Sequence, residues 1–142
     1  MKYPKFLKEN STIGVPAPSS GAKDLKKINH YHKALEVWQS FGYSCILSEN
    51  LYSEDRGRSA SSKDRASEIN EMFLSDEIDG IVCASGGDFL VEILPYVDFQ
   101  LLVQNPKFVI GFSDPTALLY PITSKYDIAT ILWRKFFIPW CR

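Results

Sequence analysis

Three short stretches of the chain hold residue types that could do chemistry. In the first, Ser85-Gly86-Gly87-Asp88 follows the apolar run Ile81–Ala84. Two adjacent glycines let a backbone turn sharply and pass close to a ligand. Such a turn either cradles an anion or serves as a nucleophile elbow, lifting a side chain above a sheet. The alternative is a turn that only lets strand and helix pack. A dinucleotide site needs G-x-G-x-x-G; here no third glycine follows, and Asp88 would repel a pyrophosphate. In the second stretch, Gly111-Phe112-Ser113-Asp114-Pro115 approaches G-x-S-x-G without its last glycine. Ser113 as a nucleophile would need a base, and no histidine follows it. The alternative is that Ser113 and Asp114 satisfy backbone donors at a helix start. The third stretch is Pro16–Gly21, with Ser19 and Ser20.

Other reactive side chains offer less. Asp88 and Glu92 are four apart and share a face if helical, either as an acid/base or amine-binding pair or as solvated acids at a helix N-terminus. Ser85 is expected to point along the strand end, which argues against it as a nucleophile. His30 and His32, two apart, do not face each other on a helix, so they read as surface histidines. Cys45, Cys83 and Cys141 are far apart with no C-x-x-C pair, so neither a metal site nor a disulfide framework is expected. Cys83 reads as a small core residue.

The elements that must position these loops alternate. Thr12–Val15 is a buried strand stopped by Pro16-Ala17-Pro18. Ser19 or Ser20 caps a helix with Asp24 in its first turn, a stripe of Leu25, Ile28, Tyr31, Leu35 and Trp38, and an end at Gly42. Tyr43–Leu47 is a strand and 48–61 a polar loop. Ser62 caps a second helix with Ala66, Ile69 and Phe73 inward and Asp64, Arg65, Glu68 and Glu71 in water. Ile81–Ala84 is a strand of unbroken apolar character, which suits a parallel sheet covered on both faces. A short helical stretch ends near Pro95. Residues 98–104 form a helix and Phe108–Gly111 a strand. Asp114 caps a helix with Pro115 at its first position, and Ile128–Ile131 is the last strand. The expected fold is α/β: a doubly wound, mostly parallel sheet, flavodoxin/Rossmann-like, in three layers and one domain. Ligands in such folds sit at the carboxyl ends of the strands. The loops 16–21, 85–90 and 111–116 all fall there.

Composition narrows the function. Of 142 residues, 45% are hydrophobic and 23% charged, which argues against disorder. The net charge of −1 argues against a nucleic-acid partner held by a broad basic face. No window approaches the ~20 apolar residues of a membrane helix. The polar N-terminus lacks a secretory apolar core, so a cytoplasmic protein is expected.

A set of blocks resembles the LD-carboxypeptidase family of serine peptidases, which includes the microcin C immunity peptidases. They are Ile13–Ser20, Arg65-Ala66 through Asn70–Phe73, Ile78–Ile81, Gly86-Gly87, Leu94–Phe99, Asn105-Pro106-Lys107, and Ile110–Asp114 through Thr116–Leu118, in that order. The resemblance runs from about residue 11 to residue 131. It implies a cytoplasmic hydrolase of muropeptides or related peptide conjugates, without cofactor or metal, and homodimeric in full-length forms. In the family a serine on the elbow attacks, a histidine acts as base and a glutamate orients it. Histidine and glutamate come from a C-terminal domain.

The chain departs from that pattern at the elbow. The family has two glycines, two further residues, then serine; here the serine position is Leu90 and Glu92 follows. The resemblance makes the backbone N–H groups of Gly87 and Val91 the candidate oxyanion donors. Ser19, Asp88, Ser113 and Asp114 become the candidate ligand-binding residues, for a peptide or muropeptide. The expectation is an N-terminal family domain over 1–131, inactive as a peptidase, its catalytic partner domain absent. The alternative is a non-catalytic peptide- or ligand-binding α/β module. Residues 132–142 are aromatic, lack glycine and leave the family pattern. One set of synonymous codons for Leu132–Phe136, read one base later, encodes Tyr-Gly-Glu-Asn. The tail is therefore expected to be a frameshift product, against the alternative of a true lineage-specific terminus, and the truncated chain is expected to be poorly soluble.

Overall fold

The computed structural model describes residues 1–134. Its strands are β1 (Thr12–Val15), β2 (Ser44–Leu47), β3 (Gly80–Val82), β4 (Phe108–Gly111) and β5 (Ile131–Leu132). Its helices are α1 (Leu25–Ser40), α2 (Ser62–Leu74), α3 (Phe99–Gln104) and α4 (Thr116–Ser124), with a 3-10 helix over Leu90–Tyr96. The five strands form one sheet in the order β2-β1-β3-β4-β5, every pair parallel. This is the expected doubly wound fold, and the strand order reverses between β1 and β3.

Alternating side chains divide the core into two layers. Ile13, Val15, Val82 and Ile110 pack with Tyr31 and Trp38 of α1. Ile81, Cys83 and Val109 pack on the other face with Ile69 and Phe73 of α2, Leu102 of α3 and Leu118 of α4. The register pairs Ile13 with Cys45, Gly14 with Ile81, Ile81 with Val109 and Ile110 with Ile131. Burial pushes the Cys83 thiol up to about 12, as its place in the core requires.

Several boundaries differ from expectation. Asp24, not Ser19 or Ser20, caps α1, accepting from the Lys27 amide at 2.9 Å. Both serines are buried in the preceding loop. Leu25 lies outside the buried stripe, 77% exposed, because the helix begins there and its first turn overhangs the sheet. Ser61, rather than Ser62, caps α2. The strands expected at 43–47, 81–84 and 128–131 are Ser44–Leu47, Gly80–Val82 and Ile131–Leu132. Ile128 instead makes an isolated bridge to Lys2. Of the aromatic tail, Leu132 ends β5, Trp133 and Arg134 follow, and residues 135–142 lie outside the described residues.

Two buried cations secure α2. Arg65, expected in water, is fully buried. Lys107, 3% exposed, donates to the carbonyls of Met72 (2.9 Å), Phe73 (2.8 Å) and Ser75, closing the C-terminal end of α2, which carries no basic residue of its own. Burial lowers the pKa of Lys107.

Candidate active site at the carboxyl edge of the sheet

The loops after β1, β3 and β4 meet at one edge, joined by side-chain hydrogen bonds. Asp114 is the hub. Its Oδ2 accepts from the Ser19 hydroxyl and, at 2.8 Å, from the Leu90 amide. The expected helix cap is therefore not made: Pro115 has helical dihedrals, and no side chain caps α4. A carboxylate that could have capped its own helix instead ties three loops together, an arrangement only tertiary contacts define.

Gly87 is required by close approach. A Cβ there would lie 2.3 Å from Ser19 Oγ. At Gly86 a Cβ would lie 3.1 Å from that of Ser113. Ser113 has φ 66°, a left-handed conformation uncommon for a residue with a side chain, and it is exposed. Ser19, Gly87, Leu90, Ser113 and Asp114 thus come to the same edge, as the sequence required.

The side chain of Leu90 takes another direction. It is 0% exposed and packs in the core layer with Ile93, Leu102 and Leu118. The backbone of Leu90 lies in the loop at the carboxyl edge, as expected for residues 85–90, but its side chain does not face that edge, because an isobutyl group gains more by burial than by facing water. Val91 is exposed and Asp88 faces solvent.

Asp88 and Glu92 do not form the expected pair. Residue 88 precedes the 3-10 helix, and Glu92 is held by two arginines. Arg58 makes a bidentate contact, Nε to Oε2 at 2.8 Å and Nη2 to Oε1 at 2.6 Å. Arg65 Nη2 adds a bond at 2.9 Å. The Arg58 guanidinium holds the Glu92 carboxyl well down, to about 2, with Arg65 adding to the effect. Arg65 also donates to the carbonyls of Pro18 (2.8 Å) and Phe89 (3.2 Å), which binds α2 to two of the loops. Arg58 lies 3.6 Å above the Phe89 ring. The sequence missed Arg58 and Arg65; the signal it held was an arginine on the inner side of α2, one residue before Ala66.

A second polar cluster also escaped the sequence reading. Lys27 Nζ donates to Ser20 Oγ at 2.9 Å and to the Gly21 carbonyl at 2.5 Å. Ser20 Oγ lies 2.6 Å from the Gly86 carbonyl and 3.1 Å from Ser85 Oγ. Ser85 Oγ donates to the Ser20 carbonyl at 2.7 Å. Beside it, burial raises the pKa of the Tyr31 phenol, against a lowering hydrogen-bond contact from Ser85. Among the described residues no cluster of three or more His, Cys, Asp or Glu could hold a metal ion, and no helix is long and apolar enough to cross a membrane. His30 and His32 are exposed on α1.

Residues 13–132 match the sequence model of the LD-carboxypeptidase N-terminal domain. The chain is 34% identical over 124 residues to the microcin C7 self-immunity protein MccF of Escherichia coli, covering 87% of this chain and 36% of that protein. It is 33% identical over 127 residues to a Bacillus subtilis (strain 168) protein named "Probable murein peptide carboxypeptidase", covering 89% of this chain and 39% of the other. The solved structure of MccF in complex with aspartyl sulfamoyl adenosine superposes with a TM-score of 0.82 at 33% identity, over 87% of this chain and 37% of that one. The chain therefore spans well under half the length of these relatives.

Proposed function

The chain belongs to the LD-carboxypeptidase family through its N-terminal domain, and from that premise we propose that it keeps the family's ligand-facing edge without serine chemistry at residue 90. The observation that carries this reading is Leu90. It occupies the position two residues beyond Gly86-Gly87-Asp88, its side chain has no nucleophilic atom, and that side chain is fully buried. Losing one member of a nucleophile–base–orienter set removes several powers of ten in rate.

The ligand in this proposal is a peptide acid of the muropeptide type, held near Ser19, Gly87, Asp88 and Ser113, with the Gly87 and Val91 amides on the same edge. Asp114 acts from behind, through Ser19 and the Leu90 amide. A relative crystallised with an aminoacyl sulfamoyl nucleoside supports a ligand with a peptide-like end. The same proposal takes over the family's expectations of a cytoplasmic location and of a homodimer in longer forms.

Amide chemical shifts during titration with an L,D-linked muropeptide-like tetrapeptide test the reading. Shifts confined to 19–21, 86–91 and 112–114, with no turnover above background, are expected. Turnover abolished by Ser113→Ala would overturn it and make the Gly111–Pro115 turn the elbow. The absence of shifts at all three loops would remove the binding role.

A further inference from the structure

We propose that Lys27, Ser20 and Ser85 form a second nucleophilic array, in which Ser85 is the reacting group toward acyl esters and related activated electrophiles. The array owes nothing to residue 90. Its geometry is a continuous chain of three polar atoms: Lys27 Nζ to Ser20 Oγ at 2.9 Å, and Ser20 Oγ to Ser85 Oγ at 3.1 Å. Serine becomes a nucleophile when a positioned base can take its proton, and lysine serves as that base in several unrelated hydrolases.

The surroundings suit the chemistry. Ser85 follows the end of β3 and Ser20 lies in the loop after β1, on either side of the point where the strand order reverses. Doubly wound folds bind ligands in that crevice. Ser20 is buried at 8% exposure, so its hydroxyl is shielded and its place in the relay is fixed. Ser85, expected from the sequence to point along the strand end, is half-buried and instead reaches across the edge to the Ser20 carbonyl. At rest each serine hydroxyl donates its proton to a backbone carbonyl, Ser20 to Gly86 at 2.6 Å and Ser85 to Ser20 at 2.7 Å, which fixes both oxygens in place.

In the resting state the Lys27 ammonium donates to Ser20. In the reaction the Ser20 hydroxyl turns from the Gly86 carbonyl to donate to the Lys27 amine, and the Ser85 hydroxyl turns from the Ser20 carbonyl to donate to Ser20 Oγ. Ser85 Oγ attacks the ester carbonyl and a C–O bond forms. The Ser85 proton passes to Ser20 as the Ser20 proton passes to Lys27. The ester C–O bond breaks, and the alcohol leaves with the proton returned from the Lys27 ammonium. Water then releases the acid from acyl-Ser85. With a fluorophosphonate, a P–O bond forms, fluoride leaves, and the proton stays on Lys27.

The test is fluorophosphonate labelling of the full chain under mildly alkaline conditions, with the adduct mapped by peptide mass spectrometry. An adduct on Ser85, lost in Ser85→Ala, is expected. Lys27→Arg keeps the charge and the donors but removes the base, since a guanidinium does not deprotonate; labelling should fall about a hundredfold. Ser20→Ala should fall comparably. Two-dimensional amide spectra of each variant separate loss of reactivity from loss of fold. No Ser85 adduct on the folded parent chain, or equal labelling in Lys27→Arg, overturns the proposal.

Discussion

The loops after β3 and β4 meet at the carboxyl edge, and each has one feature that a nucleophile elbow needs. The loop at 85–92 has the family spacing from its two glycines, but residue 90 is a leucine that has turned into the core. The loop at 111–115 has a serine in a left-handed conformation, φ 66°, exposed above the sheet. It lacks the spacing, and its neighbouring carboxylate is engaged with Ser19 and the Leu90 amide. The difference separates two requirements of a reactive serine. Glycine spacing on one loop comes with a buried leucine, and a left-handed backbone on the other comes with an exposed serine whose neighbouring carboxylate is already engaged.

The largest effect should come from Leu90→Ser, which removes a filled core position and buries a hydroxyl. Destabilisation of about 3 kcal/mol is expected by urea unfolding. No fluorophosphonate adduct should appear at residue 90; one there would show that the 85–92 loop still works as an elbow. Next, Asp114→Ala cuts the tie between the two loops. It leaves the Leu90 amide without its acceptor and should cost about 2 kcal/mol. Faster hydrogen exchange at the Leu90 amide would accompany it, and unchanged exchange would mean that the loops are held otherwise.

Gly87→Ala sets a methyl against Ser19 Oγ. It should destabilise by about 1–2 kcal/mol, with a smaller increment in a Ser19→Ala background. Equal costs in both backgrounds would locate the strain elsewhere. Glu92 gives a pH signature. Its folded pKa, about 2, lies below its ordinary value of 4.5, so its stabilisation is complete above the ordinary value and is lost as pH falls toward 2. Glu92→Gln should flatten that part of the stability profile, and an unchanged profile below pH 4.5 would show the arginine clamp to be inert. The smallest effect is Ser113→Gly, which relieves a left-handed side chain and should stabilise by up to about 1 kcal/mol. Destabilisation would mean that the Ser113 side chain, packed beside Gly86, contributes more than its backbone costs.

Much of this was legible in the chain. Apolar runs bounded by proline, glycine and capping residues gave the element order, and strands without alternation pointed to a covered parallel sheet. The doubly wound rule then places residues 19, 87, 90, 113 and 114 at one edge. Cap positions were harder to read. Ser19, Ser20, Asp24, Ser61, Ser62 and Asp114 are all chemically fit to cap, and Ser19, Ser20 and Asp114 each took a partner distant in sequence instead. Arg65 was misplaced for a related reason. A charge on a helix reads as wet unless its partners are visible, and those partners are carbonyls and a carboxylate 24 to 47 residues away in sequence.

The sequence by itself determined the fold class, the family and the presence of leucine at residue 90, because periodicity, glycine spacing and residue identity are local properties. Only the tertiary structure decided where the side chains went. It turned Leu90 inward and made Asp114 a tie rather than a cap. It buried Arg65 against Glu92 and brought Lys27, Ser20 and Ser85 into line. Each of those outcomes depends on competition among polar partners distant along the chain, and that competition is settled only when the loops are brought together in space.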